Sequence, residues 1–425
     1  MSAAPASLPQ TRPAVAVLMS RFPTVTETFI LREMIEMERQ SQPVRLVPML
    51  REDPPVVHEE AKPWTRRALY TKYLSGGIVA ANLRTLVRRP FTYLSLLARL
   101  IAGTITRPGT LARTVAIFPK SVYLAQELQR EGLKHIHAHY ATHPATMALI
   151  IAALSDITFS FTVHAHDIQV DRSLLRWKLR ETRFVRSISD YNKRFLERLY
   201  PGETRGGKII VVHVGIEPST YEERARHLVP IASATQNSIP KILCVAAHRP
   251  YKGLPVLIEA CRILRDEGVK FHCDVVGHGP MRAELEQMIR DRNVGDVFVL
   301  AGPRPQDEVA RMMAEATLFV LPSIIASDGQ MEGIPVALME AMASGRAVVS
   351  TAISGIPELV EHGTNGLLVK PGDAEELANA MRTLLSDPQR AKEMGVRGQQ
   401  KVRAEFTIQD CVAQLVARLE SEVKA

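Results

Sequence analysis

Two doubly wound α/β domains, each built on a parallel sheet, are what this sequence predicts, and three observations carry the prediction. Short β-rich runs alternate with helical patterns from end to end. The alternation pauses once, at residues 217–240, in a polar stretch with three prolines. A chain of 425 residues also exceeds what one ordinary hydrophobic core organises.

In the first half the runs are AVAVLM from residue 14, VRLVPML from 44, TFSFTV from 158 and KIIVVHV from 208. In the second half they are KILCVA from 241, FHCDVVG from 271, VFVLAG from 297, ATLFVLPS from 316 and AVVST from 347. Most are near-continuous in apolar residues, as strands buried on both faces must be. The helical stretches between them imply right-handed crossovers. The pause reads as a linker, giving a first domain of residues 1–218 and a second of 219–403. Beyond Ser386-Asp387-Pro388 helical periodicity returns, and residues 404–425 are expected to cross back onto the first domain. Ligands of such sheets lie at the carboxyl ends of the strands, so the domains are expected to face each other across a cleft lined by strand-to-helix turns.

Composition narrows the class. Hydrophobic residues at 46% and charged ones at 23% suit a chain that folds throughout. Cys244, Cys261, Cys273 and Cys411 form no CxxC pair and read as buried thiols in a reducing compartment. The amino terminus lacks a charged segment followed by a long apolar one, and no run of 18 apolar residues occurs. The expectation is a cytoplasmic protein.

The net charge of +8 is unevenly placed: residues 61–134 hold thirteen Lys or Arg against two acids, a local excess of +11. Arginines there interleave with Leu, Ile, Phe and Tyr, a mixture suited to an anionic membrane surface or lipid headgroup. The plainer alternative is a helical segment with a solvated basic face. No nucleic-acid recognition motif accompanies the charge, so nucleic acid is not the expected partner.

The most informative stretch is EGIPVALMEAMASG, residues 332–345. Pro335 suits a first helical position, and Gly345 suits a helix end. Glu332 then lies in the turn, Gly333 allows close backbone approach, and the helix start offers amides to a phosphate. Glu340 falls inside the helix among apolar residues, where an unpartnered carboxylate is costly. It suits the two hydroxyls of a ribose. Downstream, Asp373 and Glu376 form a capping-box pattern, as do Thr24 and Glu27 near the amino terminus. In CVAAHRPYKG (244–253), Arg249 and Lys252 are cations at a strand end. VVGHGP (275–280) is another strand–glycine–helix turn. The histidines of HIHAHYATH (135–143) and VHAHD (163–167) alternate as metal ligands on a strand would, yet no further ligand class stands at suitable spacing. No D-x-D motif is present.

With its E-x7-E spacing, EGIPVALMEAMASG resembles the signature of the retaining nucleotide-sugar glycosyltransferases of family 4, which have the GT-B fold. The resemblance covers nearly the whole chain and implies two Rossmann-like domains facing across a cleft. It implies that Glu340 binds the donor ribose and that Glu332 contacts the transferred sugar, with Gly333 and Ile334 in the donor-binding turn. SGIPELVEHGTNGLLVKPGD (354–373) fits the same pattern. Lys252 matches the family's "KG" lysine and is implied to contact the diphosphate. The usual arginine five residues earlier is replaced by Ala247, leaving Arg249 as the candidate substitute. Gly277 and Gly279 resemble the family's "GxGP", and TVHAHDI resembles "TxHGxDI". That implies donor contact by His164, with Asp167 at the family's aspartate and His166 in a variable slot.

The opening SRFPTVTETFI and the segment HAHYATHPA resemble a subgroup that builds exopolysaccharides of the colanic-acid type, which implies Thr26, His139 and His143 on the acceptor side. Glu27 reads more simply as a helix cap. The family implies a same-face displacement in which the departing phosphate takes the acceptor's proton. No protein nucleophile, cofactor or metal is implied. With the basic segment, the acceptor is expected to be a lipid-linked saccharide at the inner membrane face. Rival readings are a nucleotide-sugar epimerase or hydrolase of the same fold, a metal-dependent hydrolase built on the histidines, and a non-catalytic lipid-binding protein.

Overall fold

A computed structural model describes residues 12–24, 28–54, 57–228 and 239–424. The chain divides into two compact units: residues 1–188, 193–212 and 411–425, and residues 189–192 with 213–410.

The first unit holds strands β1 (Val15–Phe22), β2 (Val44–Arg51), β3 (His135–His139), β4 (Thr158–Val163), β5 (Val185–Ser187) and β6 (Ile209–Val211). All pair in parallel, in the order β2-β1-β3-β4-β5-β6. Val15 of β1 stands opposite both Val44 and His135, which sets the register at the centre of the sheet. The helix His143–Leu154 is apolar on nearly every side because it lies inside the core, with Met147, Ala148, Ile150 and Ile151 fully buried.

The second unit holds β7 (Lys241–Val245), β8 (His272–Val276), β9 (Phe298–Gly302), β10 (Leu318–Leu321), β11 (Ala347–Thr351) and β12 (Gly366–Val369). They too are all parallel, in the order β12-β11-β10-β7-β8-β9. Strand order therefore reverses between β1 and β3 in one sheet and between β7 and β10 in the other. These reversals open the crevices in which ligands of such sheets bind.

The fold class follows the expectation, with local differences. β3 is spelled by alternating histidines and not by an apolar run, while β5 and β12 are short and lie in segments without a long apolar run. The stretch read as a linker contains the helix Pro218–Leu228. It is fastened to the second unit by an ion pair between Glu222 and Arg403, so its polarity reflects one exposed face rather than an absence of structure. Asp373 caps the helix Ala374–Ser386 by accepting from Glu376 N at 2.9 Å, while the Glu376 carboxylate turns instead to Lys370 N. Thr26 and Glu27 lie outside the described residues. All four cysteines are buried, and none of them forms a disulfide. Among the described residues no helix is long and apolar enough to cross a membrane.

Candidate active site

The turn after β7 carries Arg249 and Lys252 into a short 3₁₀ turn, Pro250–Lys252, and ends at Gly253 with φ 67°. A Cβ on Gly253 would stand 1.9 Å from the Pro322 carbonyl oxygen, so only glycine brings this turn against the end of β10, at the strand-order reversal. There Lys252 Nζ forms an ion pair with Glu332, the two side chains retaining 15% and 12% exposure. Burial disfavours the ammonium charge, but the facing Glu332 carboxylate outweighs it and holds the Lys252 pKa above its ordinary value. Without a ligand, cation and carboxylate thus neutralise each other.

Glu332, Gly333 and Ile334 lead into the helix Val336–Ala343, which Pro335 caps; the helix starts one residue later than the spacing predicts. Gly345 follows it at φ 71°. One turn inside, half-buried Glu340 accepts a hydrogen bond from the Tyr221 hydroxyl at 2.7 Å. That contact removes part of the cost of a carboxylate on an apolar helix. It holds one oxygen, Oε1, in place.

Gly277 and Gly279 have a local reason for being glycine. A Cβ on Gly277, at φ 143°, would meet the Ala246 carbonyl oxygen at 2.0 Å, and one on Gly279 would meet the His248 carbonyl oxygen at 2.6 Å. The turn after β8 therefore packs directly on the turn after β7. Arg249 is exposed and takes part in no ion pair among the described residues, so it is not tied down as a structural bridge.

In the first unit the histidines of β3 form a ladder with the hydroxyls of β4. His135 bridges Thr158 and Ser160 at 2.7 Å each, and His137 bridges Ser160 and Thr162 at 2.8 Å each. Burial, the largest influence on both rings, lowers their pKa values; His135 falls to about 3. Both ring nitrogens of each are thereby occupied, which removes them as metal ligands. Among the described residues no group of three or more His, Cys, Asp or Glu is placed to hold a metal ion. The metal-dependent hydrolase reading loses its ligand set.

His139, expected on the acceptor side, is 1% exposed. Its Nδ1 lies 3.4 Å from His164 Nε2, and its Nε2 lies 3.3 Å from Glu33 Oε1, too obliquely for a good hydrogen bond. Glu33 is ion-paired with fully buried Arg186. Burial raises the Glu33 pKa, but Arg186 and His139 together overcome that and hold it below the carboxylate range. His164 stands beside Tyr140, with ring centroids 4.5 Å apart. Burial, then His139 and Arg186, push its pKa well below the ordinary value, so the ring is neutral at pH 7.

Asp167 is buried and accepts from Ala141 N, His164 N and Ala165 N at 2.8–3.0 Å, tying the turn after β4 to that after β3. It positions the loop, and its carboxylate is not left free for an acceptor. His166 is exposed. His143 opens its helix half-buried, its pKa lowered to about 4 by burial first and Lys178 second.

Sequence reasoning missed Tyr221, Glu33 and Arg186. Glu33 was within reach: it falls on the Ile30–Met34–Met37 stripe of the helix Thr28–Arg39, the same signal that singled out Glu340. Tyr221 carries no such signal, because its partner is 119 residues away.

Two six-stranded parallel sheets, with Lys252, Glu332 and Glu340 gathered at the carboxyl end of the second, define a protein of the GT-B class. Residues 68–220 match the family model Glycosyltransferase Family 4 and residues 232–401 match Glycosyl transferases group 1. The chain belongs to the glycosyltransferases that these two models describe. It is 41% identical over 213 residues to the amylovoran biosynthesis glycosyltransferase AmsK of Erwinia amylovora, a match covering 50% of this chain and 51% of AmsK. It is 39% identical over 216 residues to the putative colanic acid biosynthesis glycosyltransferase WcaL of Salmonella typhimurium, with the same coverage. The chain thus spans about half the length of the curated relatives it matches. The crystal structure of Anabaena HepE in complex with UDP shares the fold, with a TM-score of 0.68, 16% identity, and 96% of this chain and 100% of that one covered.

Proposed function

We propose that the chain is a retaining glycosyltransferase moving a sugar from a nucleotide-sugar donor to a lipid-linked saccharide acceptor, in the assembly of an exopolysaccharide or related surface polysaccharide. One observation carries the reading: Lys252 and Glu332 meet where the order of the second sheet reverses, and Glu340 lies one turn inside the helix that follows Glu332. The cation suits a diphosphate and the two acids suit hydroxyls, which together describe a nucleotide sugar. The names of AmsK and WcaL support the exopolysaccharide setting, and the UDP in HepE supports the donor class.

In this reading Glu340, steadied by Tyr221, accepts from the ribose hydroxyls. Lys252 leaves Glu332 for the donor diphosphate, and Glu332 then turns to the transferred sugar, which His164 also contacts as a neutral ring. Arg249, Gly333, Ile334 and the two glycines after β8 complete the donor side, while His143 and His166 remain acceptor-side candidates, as does Thr26. The anomeric carbon's bond to phosphate breaks as its bond to the acceptor oxygen forms on the same face. The acceptor proton passes to the departing phosphate oxygen. No metal or cofactor takes part. The enzyme works in the cytoplasm, at the inner membrane face.

A panel of nucleotide sugars incubated with a saccharide acceptor and a chelator tests this, with the anomeric configuration of the product read by NMR. Retained configuration and undiminished activity in chelator are expected. Inversion, or release of free sugar at the same rate without acceptor, would overturn the reading in favour of a different chemistry.

A further inference from the structure

Among the described residues, nine of the fourteen large apolar side chains that are exposed lie between residues 73 and 115. They are not scattered. The helix Gly76–Arg88 buries Ile78 and Ala81 and shows Val79, Leu83 and Val87 on its outer face, at successive four-residue steps. The helix Pro90–Ala102 follows, burying Leu96 and Leu100 and showing Phe91 and Leu94. Val87 and Phe91, flanking the junction, are 79% and 87% exposed. A helix on a water-facing surface turns its polar residues outward. Here Asn82 instead points inward, donating to the Ile78 and Pro119 carbonyls and accepting from the Tyr93 hydroxyl.

The charge around this apolar ridge has one sign. Lys72, Arg88, Arg89 and Arg113 are exposed and have no acidic partner among the described residues. The two acids of the segment are engaged elsewhere, Glu127 with Arg130 and Glu131 with Arg45. The chain leaving the ridge is tied to the segment that follows His164. The Thr110 hydroxyl donates to Asp171 at 2.7 Å and Arg107 donates to the Val170 carbonyl, a few residues past His164.

We infer that these two helices dock on an anionic lipid bilayer, with Val87, Phe91 and their apolar neighbours entering the acyl boundary and the four free cations meeting headgroups. Charge complementarity selects this occupant. A second copy would bring the same positive charge against itself, and a nucleic acid would leave the aliphatic ridge without a partner. The inference deepens the proposed function and rests on its lipid-linked acceptor, naming the surface that meets the membrane.

The test uses the full chain and vesicles of phosphatidylglycerol and phosphatidylethanolamine. Phe91→Trp is expected to shift its emission to the blue on vesicle addition. The double substitution Val87→Asp, Phe91→Asp is expected to weaken vesicle binding at least ten-fold, while Val396→Asp, at an exposed apolar site in the second unit, leaves it unchanged. Unaltered binding of the Asp double variant, or no spectral shift, would overturn the inference. So would a dimer that the double variant dissolves. Transfer to a soluble saccharide separates the two readings: if it persists while vesicle binding is absent, docking fails and the transferase stands.

Discussion

Replacing Lys252 by alanine is expected to lower sugar transfer by roughly 10²–10³-fold, the usual cost of removing a preorganised charge from a developing anion. The ion pair with Glu332 makes the expectation sharper than a simple loss of binding. In the resting protein the ammonium is already engaged, so a diphosphate competes with Glu332 for it. Glu332→Gln frees the cation. That variant is expected to bind a nucleoside diphosphate at least as tightly as the parent while transferring sugar poorly. Lys252→Ala is expected to lose both. Equal losses of nucleotide affinity in the two variants would show that the pair acts only as a structural bridge.

Removing Arg186 is expected to produce the largest loss of stability. Breaking a buried ion pair by deleting one partner costs about 3–5 kcal/mol, because the remaining charge has no compensation. In the parent the Glu33 carboxyl is held below its ordinary value of 4.5, so the pair's stabilisation is complete above that pH and is lost only as pH falls through the lower, folded value. In Arg186→Leu burial acts on Glu33 with only His139 to oppose it, and the carboxyl pKa rises. The penalty should therefore be greatest near neutrality and shrink as the pH falls and Glu33 takes up a proton. Thermal midpoints measured from pH 8 to pH 4.5 check this. A penalty that is flat, or that grows towards acid, would contradict it.

The two residues show which features a sequence discloses. Lys252 and Glu332 are separated by 80 residues, yet each sits in a turn whose local chemistry is complete on its own: glycine, proline, charge and the end of an apolar run. Glu340 betrays itself by breaking an apolar helix face. The strands were legible where both faces are buried, because burial on both sides writes a continuous apolar run. The short β5 and β12 write too little to be seen.

Long-range pairing was not legible. The histidines of β3 look like metal ligands until Thr158, Ser160 and Thr162 are found facing them from the next strand. Arg186 and Glu33 are 153 residues apart, and neither local stretch announces the other. The helix holding Tyr221 was hidden by its own polarity, since the strongest cue near it was the three spaced prolines of residues 217–240.

Calorimetric titration of a nucleoside diphosphate and its 2′,3′-dideoxy analogue into the parent, Tyr221→Phe and Glu340→Ala tests the central claim, that Glu340 holds a ribose diol. Hydrogen bonds to a charged group are worth about 1.5–3 kcal/mol each, so Glu340→Ala should bind the ribonucleotide at least about ten-fold more weakly. Tyr221→Phe should show a smaller loss in the same direction, and the dideoxy analogue should bind all three proteins alike. Parent-like affinity of Glu340→Ala for the ribonucleotide would contradict the account.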